Sequence, residues 1–128
     1  EEILSYVRRR NPFNHPAVVY KKSVITSLGG YEDYKFFEDY ELFAMALSKG
    51  YKGANLNEPL LFMRAGSAMY ARRGGRQYVS CISRFYKKMQ SLGLCSAKDK
   101  LTCVFPRIII ALAPSFLRRF VYKTLLRG

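Results

Sequence analysis

Two adjacent acids, Glu38 and Asp39, stand between Phe36-Phe37 and Tyr40 in the most aromatic stretch of the chain, YKFFEDYELFAMALSKGY at 34–51. Desolvating a carboxylate is costly, and the chain has only 9 Asp and Glu against 22 Lys and Arg, so the placement needs a reason. Leu42, Phe43, Ala46 and Leu47 predict a helix over about 38–49, stopped by Gly50. Asp39 precedes Leu42 and Phe43 by three and four residues, which puts it on that inward stripe, aimed at the interior or a cleft, with Glu38 and Glu41 rotated away. A helix's first turn favours acids because its free amides and dipole stabilise negative charge by roughly 0.3–1 kcal/mol. That accounts for acids at a helix start, but not for one on the apolar side. The second group with chemical capacity is Arg64 and the loop AGSAMYARRGG that follows it. Paired guanidiniums beside glycines suit a diphosphate, since the Arg fork matches phosphate oxygens and Gly lets the backbone come close. A solvated basic loop is the plainer alternative.

Other chemistries have little to build on. His15 is the only histidine, so a zinc site lacks ligands and any Ser-His-Asp triad would depend on that one residue. Cys81, Cys95 and Cys103 are odd in number, fall at no metal-ligand spacing and lie in apolar helical patterns, which fits a reduced, cytoplasmic compartment. No signal peptide opens the sequence, and a start on Glu1-Glu2 suggests a piece of something longer.

The elements that must position these groups follow from the pattern. A chain of 128 residues, 49% apolar, is one domain's worth with material for a core. ILSYVRRR at 3–10 reads as a short helix ending before Asn11-Pro12, and NPFNHP at 11–16 as a loop. AVVY at 17–20 reads as a buried strand, KKSVITSLGGY as a helix closed by Gly29-Gly30, and YKGANL and PLLFMR as two strands split by a turn at Asn57-Glu58-Pro59. Tyr78, Ile82, Phe85, Met89 and Leu92 keep one face of a long helix that Gly93 ends. The remainder, about 97–127, reads as helical with breaks at Pro106 and Pro114. The expected architecture is α/β, with about three short strands, which make a poor sheet on their own.

The ordered set Asn11-Pro12, His15-Pro16, Gly29-Gly30-Tyr31, Glu38-Asp39-Tyr40, Gly50-Tyr51, Glu58-Pro59-Leu60, Arg64 and Arg72-Arg73-Gly74-Gly75 resembles the C-terminal half of a family-2 glycosyltransferase. These are the inverting, GT-A-fold enzymes of bacterial capsule, exopolysaccharide and O-antigen assembly. The likeness covers residues 11 to about 78 closely and the rest loosely. It implies the C-terminal part of a GT-A fold, with 1–75 as the acceptor-side, catalytic part and 76–128 as a helical, basic extension. It makes Asp39 the general base that takes the proton of an acceptor hydroxyl as that oxygen displaces a nucleoside diphosphate with inversion. A hydroxyl is a weak nucleophile and needs a carboxylate at about 2.6–3.2 Å, and an apolar surround raises a carboxylate's proton affinity in general. By the same resemblance Asn11, Asn14 and His15 line the acceptor side, and Arg64, Arg72 and Arg73 lie where relatives close over the donor diphosphate. Tight-turn chemistry remains open for Asn11 and Asn14, and helix capping remains open for Glu38 beside acceptor binding.

The implied partners are a nucleotide-sugar donor and a saccharide or lipid-linked saccharide acceptor. The implied cofactor is a divalent metal, Mg or Mn, with ligands mostly in an N-terminal half not represented here: no Asp-x-Asp occurs in the sequence, and Ala65-Gly66-Ser67 stands where many relatives carry a histidine. No metal ligand is assigned within this chain. Alone, it is expected to be inactive and to self-associate through uncovered apolar surface and strand edge.

Charge is lopsided. Residues 64–128 hold fourteen Lys and Arg and the single acid Asp99, so they carry the whole net charge of +13. From Phe116 onward Leu117, Val121 and Leu125 form one stripe, and Arg119, Lys123 and Arg127 another about 200° around. Such a helix can lie on the inner face of a membrane, while CVFPRIIIALAPSFL is too short to cross it. The rival readings are a non-catalytic basic membrane-surface module and a nucleic-acid-binding module. The neutral first half and the lack of any RNA- or DNA-binding signature count against nucleic acid as a partner.

Overall fold

A computed structural model describes residues 2–33, 35–62 and 73–124. Among the described residues the helices are α1 (Glu2–Tyr6), α2 (Lys22–Ser27), α3 (Glu38–Ser48), α4 (Arg76–Ser91), α5 (Ala97–Leu112) and α6 (Ser115–Thr124), with a 3-10 turn at His15–Ala17. No strand occurs among the described residues. This overturns the expected α/β, GT-A-type architecture. Residues 17–20, 51–56 and 59–62 carry strand-forming side chains but pair with nothing described, and Val19 and Phe62 are almost fully exposed. A β-branched or aromatic run becomes a strand only when a neighbour completes its ladder, and sequence pattern reports the propensity without the neighbour.

The core is helical. Ile82, Phe85 and Met89 of α4 are buried on one face, as their spacing predicts, with Tyr78 and Leu92 packed at its ends. They meet Phe37, Tyr40 and Ala44 around α3, Cys95 from the connection before α5 and Val104 from α5. Phe37 stacks on Phe85 at 5.0 Å between centroids and Tyr40 tilts against the same ring at 4.4 Å. Each such side chain contributes about 1.5–3 kcal/mol on full burial.

Helix α3 is enclosed rather than laid on a surface. Five consecutive residues, Tyr40 to Ala44, are buried, so one face (Tyr40, Ala44) packs on α4 while another (Asp39, Phe43) faces the loop at 11–15. Glu41, read from the sequence as rotated outward, is 2% exposed, with Lys88 Nζ 3.7 Å from its carboxylate. Helix α5 starts on a capping box: Ser96 Oγ accepts from the Asp99 amide at 3.1 Å and Asp99 Oδ2 accepts from the Ser96 amide at 2.9 Å. It runs through Pro106 without the expected break and turns at Ala113-Pro114 into α6.

Three successive carbonyls after α1 are held by the core. Val7 accepts from the Tyr40 hydroxyl, Arg8 from Cys95 Sγ at 3.8 Å and Arg9 from the Arg107 guanidinium, which also lies 5.7 Å over the Tyr86 ring. The chain entering Asn11 is thereby fixed to α3, α5 and the connection before α5.

Candidate active site

The backbone enters α3 through Phe36, whose φ of +78° lies in the left-handed region that non-glycine residues rarely occupy. Aromatic contacts hold it there: Phe36 meets Tyr78 edge-on at 5.1 Å, and Phe37 lies between Tyr78 and Phe85. Phe37 at the N-cap makes no side-chain cap hydrogen bond. Its first-turn charge comes from Glu38, Asp39 and Glu41.

Asp39 lies on the side of this turn facing the 11–15 loop. Asn11 Nδ2 donates to Asp39 Oδ2 at 2.9 Å, while Asn11 Oδ1 accepts from the Phe13 amide at 3.3 Å, so the amide orientation is set at both ends. His15 Nδ1 stands 4.0 Å from the same carboxylate oxygen, too far for a hydrogen bond and close enough for charge to be felt. The Asp39 side chain is 20% exposed, so a small polar group has an approach to it. The Tyr31 hydroxyl lies 3.2 Å from His15 Nε2, and the His15 ring sits between Tyr31 and Phe43 at 5.5 and 6.4 Å. Loss of solvation, the neighbouring Tyr20 hydroxyl and the charges of Asp39 and Glu38 push the Tyr31 phenol up to about 12. It stays protonated near neutral pH and available as a donor to His15.

A groove of about 890 Å³ opens beside this group, sharing Phe13, Asn14 and Phe43 with it and continuing along Tyr20, Ile25 and Leu47. Asn14 is exposed and begins the 3-10 turn through its carbonyl, without a side-chain cap, so it borders the groove instead of touching Asp39. Glu38 keeps one carboxylate oxygen buried with no hydrogen-bond partner among the described residues.

Of the basic residues singled out, Arg64 and Arg72 lie outside the described residues, and Arg73 precedes the turn into α4. The close approach to the paired glycines is made by the protein itself. The Arg118 guanidinium lies against Gly74, where a Cβ would fall 0.9 Å from Nη1, and both Nη1 and the Gly75 amide donate to the Ala111 carbonyl, at 3.4 and 3.0 Å. Arg118 is 8% exposed, and its Nε has no partner among the described residues.

Asn11 and His15 thus gather at Asp39. Tyr31, Glu41 and Arg118 were not singled out by sequence reasoning. Tyr31 carried a signal, its place in Gly-Gly-Tyr; the other two carried none that periodicity could reveal. Among the described residues no three His, Cys, Asp or Glu side chains come together to hold a cation. The resemblance places the divalent-metal ligands mostly outside this chain.

The chain is 34% identical over 125 residues, 98% of its length, to a protein of Escherichia coli named UDP-Gal:alpha-D-GlcNAc-diphosphoundecaprenol beta-1,3-galactosyltransferase, of which it covers 46%. It is 35% identical over 127 residues, 99% of its length, to an uncharacterized glycosyltransferase of Haemophilus influenzae, covering 47% of it. It is 31% identical over 122 residues, 95% of its length, to the amylovoran biosynthesis glycosyltransferase AmsE of Erwinia amylovora, covering 46% of it. The chain spans about half the length of these relatives. No protein-family model matches it, and no solved structure does.

Proposed function

We propose that this chain is the acceptor-handling part of a glycosyltransferase that moves a sugar from a nucleotide-sugar to a saccharide or lipid-linked saccharide during surface polysaccharide assembly, with Asp39 as the general base. The observation that carries the reading is the Asp39 carboxylate, mostly buried yet approachable, fixed by Asn11 and faced by His15 at the edge of a groove. Similarity along nearly the whole chain to three proteins named glycosyltransferases supports it.

In this reading the acceptor enters along the groove and presents one hydroxyl to the free side of Asp39. The carboxylate takes the hydroxyl proton as the oxygen bonds to the anomeric carbon. The bond from that carbon to the diphosphate breaks on the opposite face, its electron pair leaves with the nucleoside diphosphate, and the configuration inverts. Asn11 holds the carboxylate to one orientation, and His15 adds a hydrogen-bonding partner for the acceptor. Arg72 and Arg73 are assigned to the departing diphosphate, where charge-assisted bonds are strong.

The test is Asp39→Asn in the full-length protein. It preserves size while removing the proton acceptor, so turnover should fall about 10²–10⁴-fold with the melting temperature kept. If the acid serves only the helix dipole, turnover instead stays near normal and stability drops by a few tenths of a kcal/mol. A fully active Asp39→Asn enzyme sinks the catalytic assignment.

A further inference from the structure

Helices α5 and α6 both leave large apolar side chains open. Leu101, Phe105, Ile109 and Leu112 recur at spacings of four, four and three, which keeps them on one stripe of α5, and each is more than half exposed. Past the corner at Ala113-Pro114, Phe116 and Phe120 of α6 are also more than half exposed. Other flanks of the two helices are already committed: Val104 and Ala111 are buried, and Arg118 lies over Gly74. Arg118 turns inward, and Phe116, Arg119 and Phe120 are exposed together on α6.

A ridge of large apolar side chains left in water marks an interaction surface, and its charge narrows the partner. From Ala97 to Thr124 the sequence has six Lys and Arg and one acid. That acid, Asp99, is engaged by Ser96 in the capping box, so its charge is directed at the helix start. Lys98 is exposed one turn before Leu101, and Arg119 is exposed between Phe116 and Phe120. Aromatic and aliphatic groups bordered by cations, with no free carboxylate, complement a surface that is apolar beneath and anionic on top. No helix among the described residues is long and apolar enough to cross a membrane.

We propose that the α5–α6 face docks on an anionic lipid bilayer, with Leu101, Phe105, Ile109, Leu112, Phe116 and Phe120 at the acyl boundary and Lys98 and Arg119 among the headgroup phosphates. The proposal is read by binding without turnover, so it stands or falls separately from the transferase reading.

The experiment is co-sedimentation of the full-length protein with vesicles of phosphatidylcholine alone and of phosphatidylcholine with phosphatidylglycerol. Binding should appear with the anionic vesicles and weaken as salt rises. Phe105→Ser, Phe116→Ser and Phe120→Ser combined should lower the partition coefficient by more than about tenfold. Lys98→Gln with Arg119→Gln should lower it less and flatten the salt dependence. The six residues are also footprinted by hydroxyl radicals in the same protein without vesicles, which needs no variant to fold, and they should be reactive. Failure to bind anionic vesicles, unchanged binding of the triple variant, or protection of the ridge in vesicle-free protein each overturns the proposal, the last by assigning the ridge to the protein's own remainder.

Discussion

The Tyr40 phenol donates to the backbone carbonyl of Val7, with both residues buried. Tyr40 directly follows Asp39, and Asn11 lies four residues after Val7, so the helix that carries the carboxylate also anchors the segment that brings its amide partner. The geometry between Asn11 and Asp39 is therefore a property of the core. Burial raises the Tyr40 pKa far above its ordinary value, and the hydroxyl remains a donor throughout the physiological range.

Tyr40→Phe should cost about 1–3 kcal/mol, because it strands the buried Val7 carbonyl while leaving the ring contacts in place. Urea denaturation reads the loss, and turnover should fall with it as Asn11 loses its fixed approach. Unchanged stability would remove Tyr40 from this role.

Tyr31→Phe removes the hydroxyl beside His15 Nε2 and leaves the tilted ring contact in place. Turnover should drop about 2–10-fold, the scale of one lost hydrogen bond, well short of the effect at Asp39. Urea denaturation distinguishes this from a folding defect, since losing one exposed hydrogen bond should leave stability near wild type. A wild-type rate would show that Tyr31 does not act on His15.

Gly74→Ala places a methyl group where Arg118 Nη1 lies. The guanidinium must leave a nearly closed site, at a cost of about 1–3 kcal/mol. In an Arg118→Ala background the same substitution should be close to neutral, so the two changes should be strongly non-additive. Chemical denaturation of the four proteins measures the coupling, and equal costs in both backgrounds would mean that the close approach is not what position 74 serves.

Acid sensitivity should appear at the start of α5. Donation by the Ser96 amide, then by its hydroxyl, holds the Asp99 pKa below its usual 3.8. A depressed carboxylate contributes stability above its unfolded pKa and loses it as pH falls through the lower folded value. Asp99→Asn should therefore flatten the pH dependence of thermal stability from about pH 4 downward, with little change in dependence near neutrality. A wild-type acid limb in the variant would place the titration elsewhere.

Legibility in the sequence followed how local the cause was. The α4 stripe of Ile82, Phe85 and Met89 was readable because one helix face meets one core, and Gly50 and Gly93 marked helix ends because each adopts positive φ there. Residues 17–20, 51–56 and 59–64 read as strands because pattern measures side chains, whereas a strand depends on a neighbour. Helix α3 defeated the single-stripe reading: it is enclosed on several sides, so Glu41 is buried beside Lys88 instead of turned outward. At the site, the motif order drew attention to Asn11, His15 and Asp39, but Tyr31 reaches His15 only through folding. Arg118 was unreadable for a similar reason, since its contact lies 44 positions back at Gly74.

The contact between Gly74 and Arg118 also constrains the routes by which the sequence can change. A lineage that first shortens Arg118 opens the space over Gly74, after which many side chains fit at position 74. A lineage that first enlarges position 74 must pass through a weakened protein before any compensating change arrives. The two orders of substitution reach the same endpoint, yet only one passes through the clash between position 74 and the guanidinium. Arg118→Lys does not supply a bypass, because an ammonium on a flexible stem lacks the forked guanidinium that lies against Gly74 and reaches the Ala111 carbonyl.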